Sequence, residues 1–146
     1  MGWTGDISRI GKLAQNIARL ARVPSQASAA VSKGIGELIE EEFGGAKDPY
    51  GAPWQEHAPE TVARWGPHPI LQLTQAMRSS VDVKPMAGAG VSITVGAPYA
   101  APHQTGWSGP QGSGPARPVL PARGMPPAWK AVIENAVTAE VRKVVA

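Results

Sequence analysis

The sequence predicts an α+β fold: a small antiparallel β-sheet, formed by a hairpin at about 81–96, packed with amphipathic helices from the N- and C-terminal parts of the chain. Three observations carry that prediction. Apolar residues near both termini recur at spacings of three and four, the period of a helix with one buried stripe. Strict alternation occurs once, in Val81-Asp82-Val83 and Val91-Ser92-Ile93-Thr94-Val95, the pattern of strands with one covered face. Between the hairpin and the last helix lies a long Pro/Gly-rich arm that has neither period. The chain has 146 residues, a size at which one domain spanning 1–146 is expected.

The first helix is predicted over 7–22, with Ile7, Ile10, Leu13, Ile17 and Leu20 on one stripe and Arg9, Lys12, Arg19 and Arg22 opposite. Val23-Pro24 stops it, because proline disfavours a helical residue before itself. Ser25 then caps a second helix, whose stripe runs Ala27, Val31, Ile35, Leu38, Ile39 and Phe43. Gly44-Gly45 supplies a left-handed C-terminal cap. These two helices occupy 7–43. Glu40, Glu41 and Glu42 crowd the last turn, where the helix dipole disfavours negative charge. They read as solvated acids or as the mark of a basic partner.

Residues 46–69 read as loop, with a short helical turn at 59–65. Residues 70–80 read as a third helix leading into the hairpin, so that 70–96 forms one helix-plus-hairpin unit. The segment 98–127 holds eight prolines and five glycines but also Tyr99, His103 and Trp107, a composition unlike a solvated linker. It reads as an extended arm ordered by a partner. A C-terminal helix over 127–145 presents Trp129, Val132, Ile133, Ala136, Val137, Val141 and Val144 on one face.

Composition narrows the chemistry. The absence of cysteine excludes disulfides, thiolate metal ligands and cysteine nucleophiles. No signal peptide or membrane span is read, and a soluble chain is expected. Glu56-His57 and Glu60 lack the spacing of a metal-binding helix motif, and Ser108 and Ser113 near His103 have no acid beside them. A small hydrolase using His103 stays open only through long-range assembly. Fourteen bases face eleven acids, too slight an excess for strong DNA contact, although a basic DNA-binding module is the second alternative. The charge is blocked. Residues 1–36 carry five bases against Asp6, net +4; residues 37–82 carry eight acids against three bases, net −5; residues 83–146 carry six bases against two acids, net +4. Opposed blocks of this kind can pair neighbouring subunits. Trp54, Trp65 and Trp107 lie in loop-like sequence, and tryptophan is enriched at interface hot spots.

The same loops carry a resemblance. Asp48-Pro49-Tyr50-Gly51-Ala52-Pro53-Trp54, Pro59-Glu60-Thr61 with Arg64, Ile70-Leu71-Gln72-Leu73-Thr74, Tyr99-Ala100-Ala101-Pro102-His103-Gln104-Thr105-Gly106 and Pro115-Ala116-Arg117-Pro118-Val119-Leu120 follow in order. Together they resemble the tailed-phage virion morphogenesis family, also called tail completion proteins. Two positions depart from its pattern. Gln75 stands where the family usually has glycine, so the third helix is expected to run on past Thr74; Val119 stands where phenylalanine is usual.

The resemblance implies a non-catalytic virion protein of the neck or upper tail, assembled in the host cytoplasm and without cofactor or metal. It implies self-association into a ring around the DNA channel, a hexamer in the family, beside neighbouring neck, tail-tube or sheath proteins. DNA passes nearby without sequence-specific contact, and no membrane is involved. A tail terminator or head-closure ring is the alternative in the same region. In this account Tyr99, His103 and Gln104 hold the base of the arm. Arg117 anchors its far end, with the Glu40, Glu41 and Glu42 cluster as a candidate seat. Trp54, Trp65 and Trp107 complete the candidate interface.

Overall fold

The computed structural model describes residues 8–145. Ile7, the first residue of the predicted N-terminal helix, lies outside them. The element order is α1 (Ser8–Leu20), α2 (Val23–Gly45), α3 (Pro59–Trp65), α4 (Ala76–Ser79), β1 (Val81–Pro85), β2 (Val91–Val95), α5 (Ala100–Thr105), β3 (Trp107–Gly109), β4 (Gly112–Gly114) and α6 (Pro127–Val145). Helices with two small antiparallel hairpins make an α+β protein, the class the sequence predicts.

The core forms where α2, α6 and the first hairpin meet. Val31, Ile35, Ile39 and Phe43 of α2 are buried with Trp54, Met77, Val119 and Trp129. β1 and β2 pair in the register Val81–Val95, Val83–Ile93 and Pro85–Val91. Period-two geometry therefore sends the valines and Ile93 to one face, where they pack on the core, and leaves Asp82, Lys84, Ser92 and Thr94 on the exposed face. α2 and α6 approach closely at Gly34. A Cβ built there would stand 2.5 Å from Val132 Cγ1, so the contact requires glycine.

Several expectations are corrected. Of the two N-terminal helices it is α2 that supplies the core, while α1 packs chiefly on α6 and leaves Leu13 and Ile17 each 59% exposed. Ser25 is not the cap of α2, which already begins at Val23 with Pro24 in its first turn; the Ser25 hydroxyl instead donates to the Arg22 carbonyl at 3.0 Å. The helix also runs through Gly44 and Gly45, and the left-handed cap is Ala46, with φ 50°.

The third helix shrinks to Ala76–Ser79, because Leu71 and Gln75 take positive φ values of 62° and 61°. The chain therefore turns after Thr74 although no glycine is present. Two buried contacts fix that turn: Gln72 Nε2 donates to the Phe43 carbonyl at 2.9 Å, and Met77 is inserted in the core.

The arm is not a free extended segment. It contains α5 and the β3–β4 hairpin, and its second half lies along this chain's own core. Val119 and Pro126 are buried, and the Tyr50 hydroxyl binds the backbone of Arg123 and Gly124. The physical reason is that its proline-rich backbone has few donors to satisfy, and Gln104 satisfies two of those that remain.

Candidate functional site

Gln104 is a clamp. Its Oε1 accepts from the Val119 and Leu120 N–H groups, both at 3.0 Å, while its Nε2 donates to the Leu120 carbonyl at 2.7 Å. A side-chain amide thus completes donor and acceptor needs of a bent, irregular backbone. Two residues before Val119, the Arg117 N–H donates to the His103 carbonyl at 2.7 Å. Gln104 and His103 therefore hold 117–120 against α5. Tyr99 contributes packing, its ring edge-on to His103 at 6.1 Å between centroids.

Arg117 does not reach the Glu40–Glu42 cluster. Its Nε donates to the Gln55 carbonyl at 2.7 Å and its Nη2 to the Glu56 carbonyl at 2.9 Å. Those two carbonyls belong to the loop after Trp54, so the guanidinium ties the arm to the 46–58 loop. The residue is only 8% exposed, and burial pulls its pKa below the ordinary value.

These groups line a pocket of about 490 Å³ between the 55–58 loop, the 68–74 turn, α5 and the β3–β4 hairpin. His57, His68, Tyr99, His103, Trp107 and Arg117 form much of its wall. His57 and His68 stack with ring centroids 4.2 Å apart, and His68 Nδ1 lies 2.8 Å from the Gly66 carbonyl. Burial, then the neighbouring His68 and Arg117, lower the pKa of His57; burial and Arg117 lower that of His103. Both imidazoles are held neutral near pH 7, with His57 Nε2 and His103 Nδ1 buried and unpartnered among the described residues. Ser113 shares the pocket wall, but no hydrogen bond joins it to an imidazole among the described residues. No three His, Asp or Glu side chains among the described residues converge as a metal site.

The remaining candidates separate. Trp54 belongs to the core: it is buried, stands edge-on to Phe43 at 5.5 Å, and donates its indole N–H to the Pro118 carbonyl at 2.9 Å. Trp65 is 54% exposed with the Arg64 guanidinium 5.0 Å over its ring. Trp107 covers Gly114, where an added Cβ would collide with the indole. Glu40 pairs with Arg78 at 2.5 Å, and Glu41 is exposed.

Glu42 overturns the solvated reading of its cluster. It is buried, and neither carboxyl oxygen has a hydrogen-bond partner among the described residues. Desolvation pushes its pKa up to about 8, a rise that the adjacent Trp129 indole opposes and Asp48 adds to. Sequence reasoning missed His57 and His68 as partners in one wall, because residues eleven apart in loop sequence carry no periodic signal. It missed buried Glu42 as well, although Glu42 directly precedes Phe43 of the predicted stripe.

What is built here is a packed assembly of loops around a polar pocket, on a fold of helices and hairpins. The sequence profile of the phage virion morphogenesis family matches residues 6–142. The chain belongs to that family, and its role is structural, in phage virion assembly. Neither curated proteins nor solved structures give a match.

Proposed function

We propose that the protein is a tail completion or head–tail joining component of the phage neck or upper tail, acting as an oligomeric ring around the DNA channel. The observation that carries this reading is an apolar ridge and an apolar groove on one molecule. Leu13, Ile17 and Leu20 form an uncovered stripe on α1. A groove of about 330 Å³ opens elsewhere, lined by Ala27, Val31 and Ile35 of α2, Ile93 of β2, and Ile133 and Val137 of α6. A ridge that fits a different surface of an identical neighbour makes a head-to-tail contact, and such contacts make a ring when the rotation between copies closes. The opposed charge blocks support the same arrangement by complementary potential.

Light-scattering mass across a concentration series tests it. The full chain is expected to form a discrete oligomer, and Leu13→Asp with Ile17→Asp is expected to leave a folded monomer. Both side chains are exposed, so the fold does not depend on them. A wild-type monomer at every concentration would contradict the reading.

A further inference from the structure

The guanidinium of Arg117 is a buried charge without a counter-ion. Its Nε and Nη2 are spent on neutral carbonyls, and Nη1 makes no hydrogen bond among the described residues. No carboxylate lies within ion-pair distance of it among them. Glu56 lines the same pocket, yet it meets Arg117 through its backbone carbonyl. Burying a charge is costly unless it is paired, and no counter-ion is supplied among the described residues. The pocket beside it has room for several heavy atoms, and its wall adds the imidazoles of His57, His68 and His103 and the Tyr99 ring. A planar carboxylate suits a guanidinium fork, because charge-assisted hydrogen bonds of that geometry are the strong ones.

Candidate carboxylates outside the pocket stand on α2. Glu37 and Glu41 are one helical turn apart, both exposed, and neither is paired with a base among the described residues. Glu40 on the same helix is already taken by Arg78. We propose that the pocket at Arg117 is a carboxylate-binding site that takes Glu37 or Glu41 from a second copy of this chain. The proposal rests on the self-association proposed above and names the polar contact that fixes its register. Apolar ridges slide; one buried ion pair specifies which alignment closes, since a misaligned copy would leave Arg117 unpaired.

The test compares the full chain with Glu37→Gln/Glu41→Gln, a double variant at exposed positions that keeps side-chain size. Oligomer dissociation is measured by light scattering, and His57 and His103 are titrated by NMR in dilute and assembled protein. The double variant's dissociation midpoint is expected to rise at least tenfold over both wild type and a Glu60→Gln control, whose carboxylate is exposed on α3 and outside the pocket. Assembly of wild type, but not of the double variant, is expected to raise the pKa of both histidines, because a carboxylate entering the pocket offsets the Arg117 charge. Equal assembly of the double variant with unmoved histidines overturns the carboxylate site and leaves the ring standing. Wild type that stays monomeric overturns the ring and this contact together. Histidine shifts produced by inorganic phosphate but not by assembly would mark the pocket as a phosphate site and overturn the proposal.

Discussion

Glu42 is the residue whose surroundings contradict its chemistry most. A carboxyl with a folded pKa near 8, against an ordinary 4.5, holds a proton in the native state where the unfolded chain has lost it. Its contribution to stability is therefore fullest below pH 4.5 and is lost as pH rises through 8. Glu42→Gln keeps the shape and removes the titration. The variant is expected to exceed wild type in stability by on the order of 3 kcal/mol at pH 8.5, with the gap closing toward pH 5. Urea midpoints at the two pH values check this. His57 and His103 act in the opposite sense: their lowered pKa values favour the fold above pH 6.5 and weaken it as pH falls below. A variant without the buried carboxyl should keep that acid-side loss unchanged. None of this was legible in three consecutive glutamates. Which of them points inward follows from the position of Phe43 and Trp129 around the helix, and Trp129 is far away in sequence.

At the scale of elements, legibility followed periodicity. The apolar stripe of α2 and the alternation in β1 and β2 each announced a covered face; the structure buries the first and half-buries the second against the core. The α1 stripe was equally periodic, yet it is exposed, because a stripe states that a face needs cover without stating which chain supplies it. The 70–75 turn was misread for a different reason. Leu71 and Gln75 take a backbone conformation that their side chains disfavour, and tertiary contacts of Gln72 and Met77 enforce it. The helix–helix contact gives the clearest prediction at this scale. Gly34→Val would drive a side chain into Val132 of α6, and overpacking of this kind costs about 1–3 kcal/mol. Thermal melting should show a lowered midpoint, while Gly36→Ala, at a position with open space, should not.

For the whole molecule, the loops carry more information than the sheet. The arm at 98–127 is secured by Gln104, Arg117 and Tyr50, each using a side chain to satisfy or bind backbone. Those residues were visible in the sequence as short motifs, but the pocket they enclose was not, because its walls come from four separated segments. The fold thus presents a preformed polar pocket, an uncovered apolar helix and an apolar groove on one small protein of a virion assembly family. In the ring proposed above, the uncovered apolar helix and the groove are the surfaces that neighbouring copies cover. The most direct measurement is electron cryomicroscopy of virions carrying an epitope-tagged copy, with bound antibody fragments marking its position. A closed ring of label at the head–tail junction is expected. Label in the capsid lattice or at the distal tail tip, or none on finished virions, would contradict it.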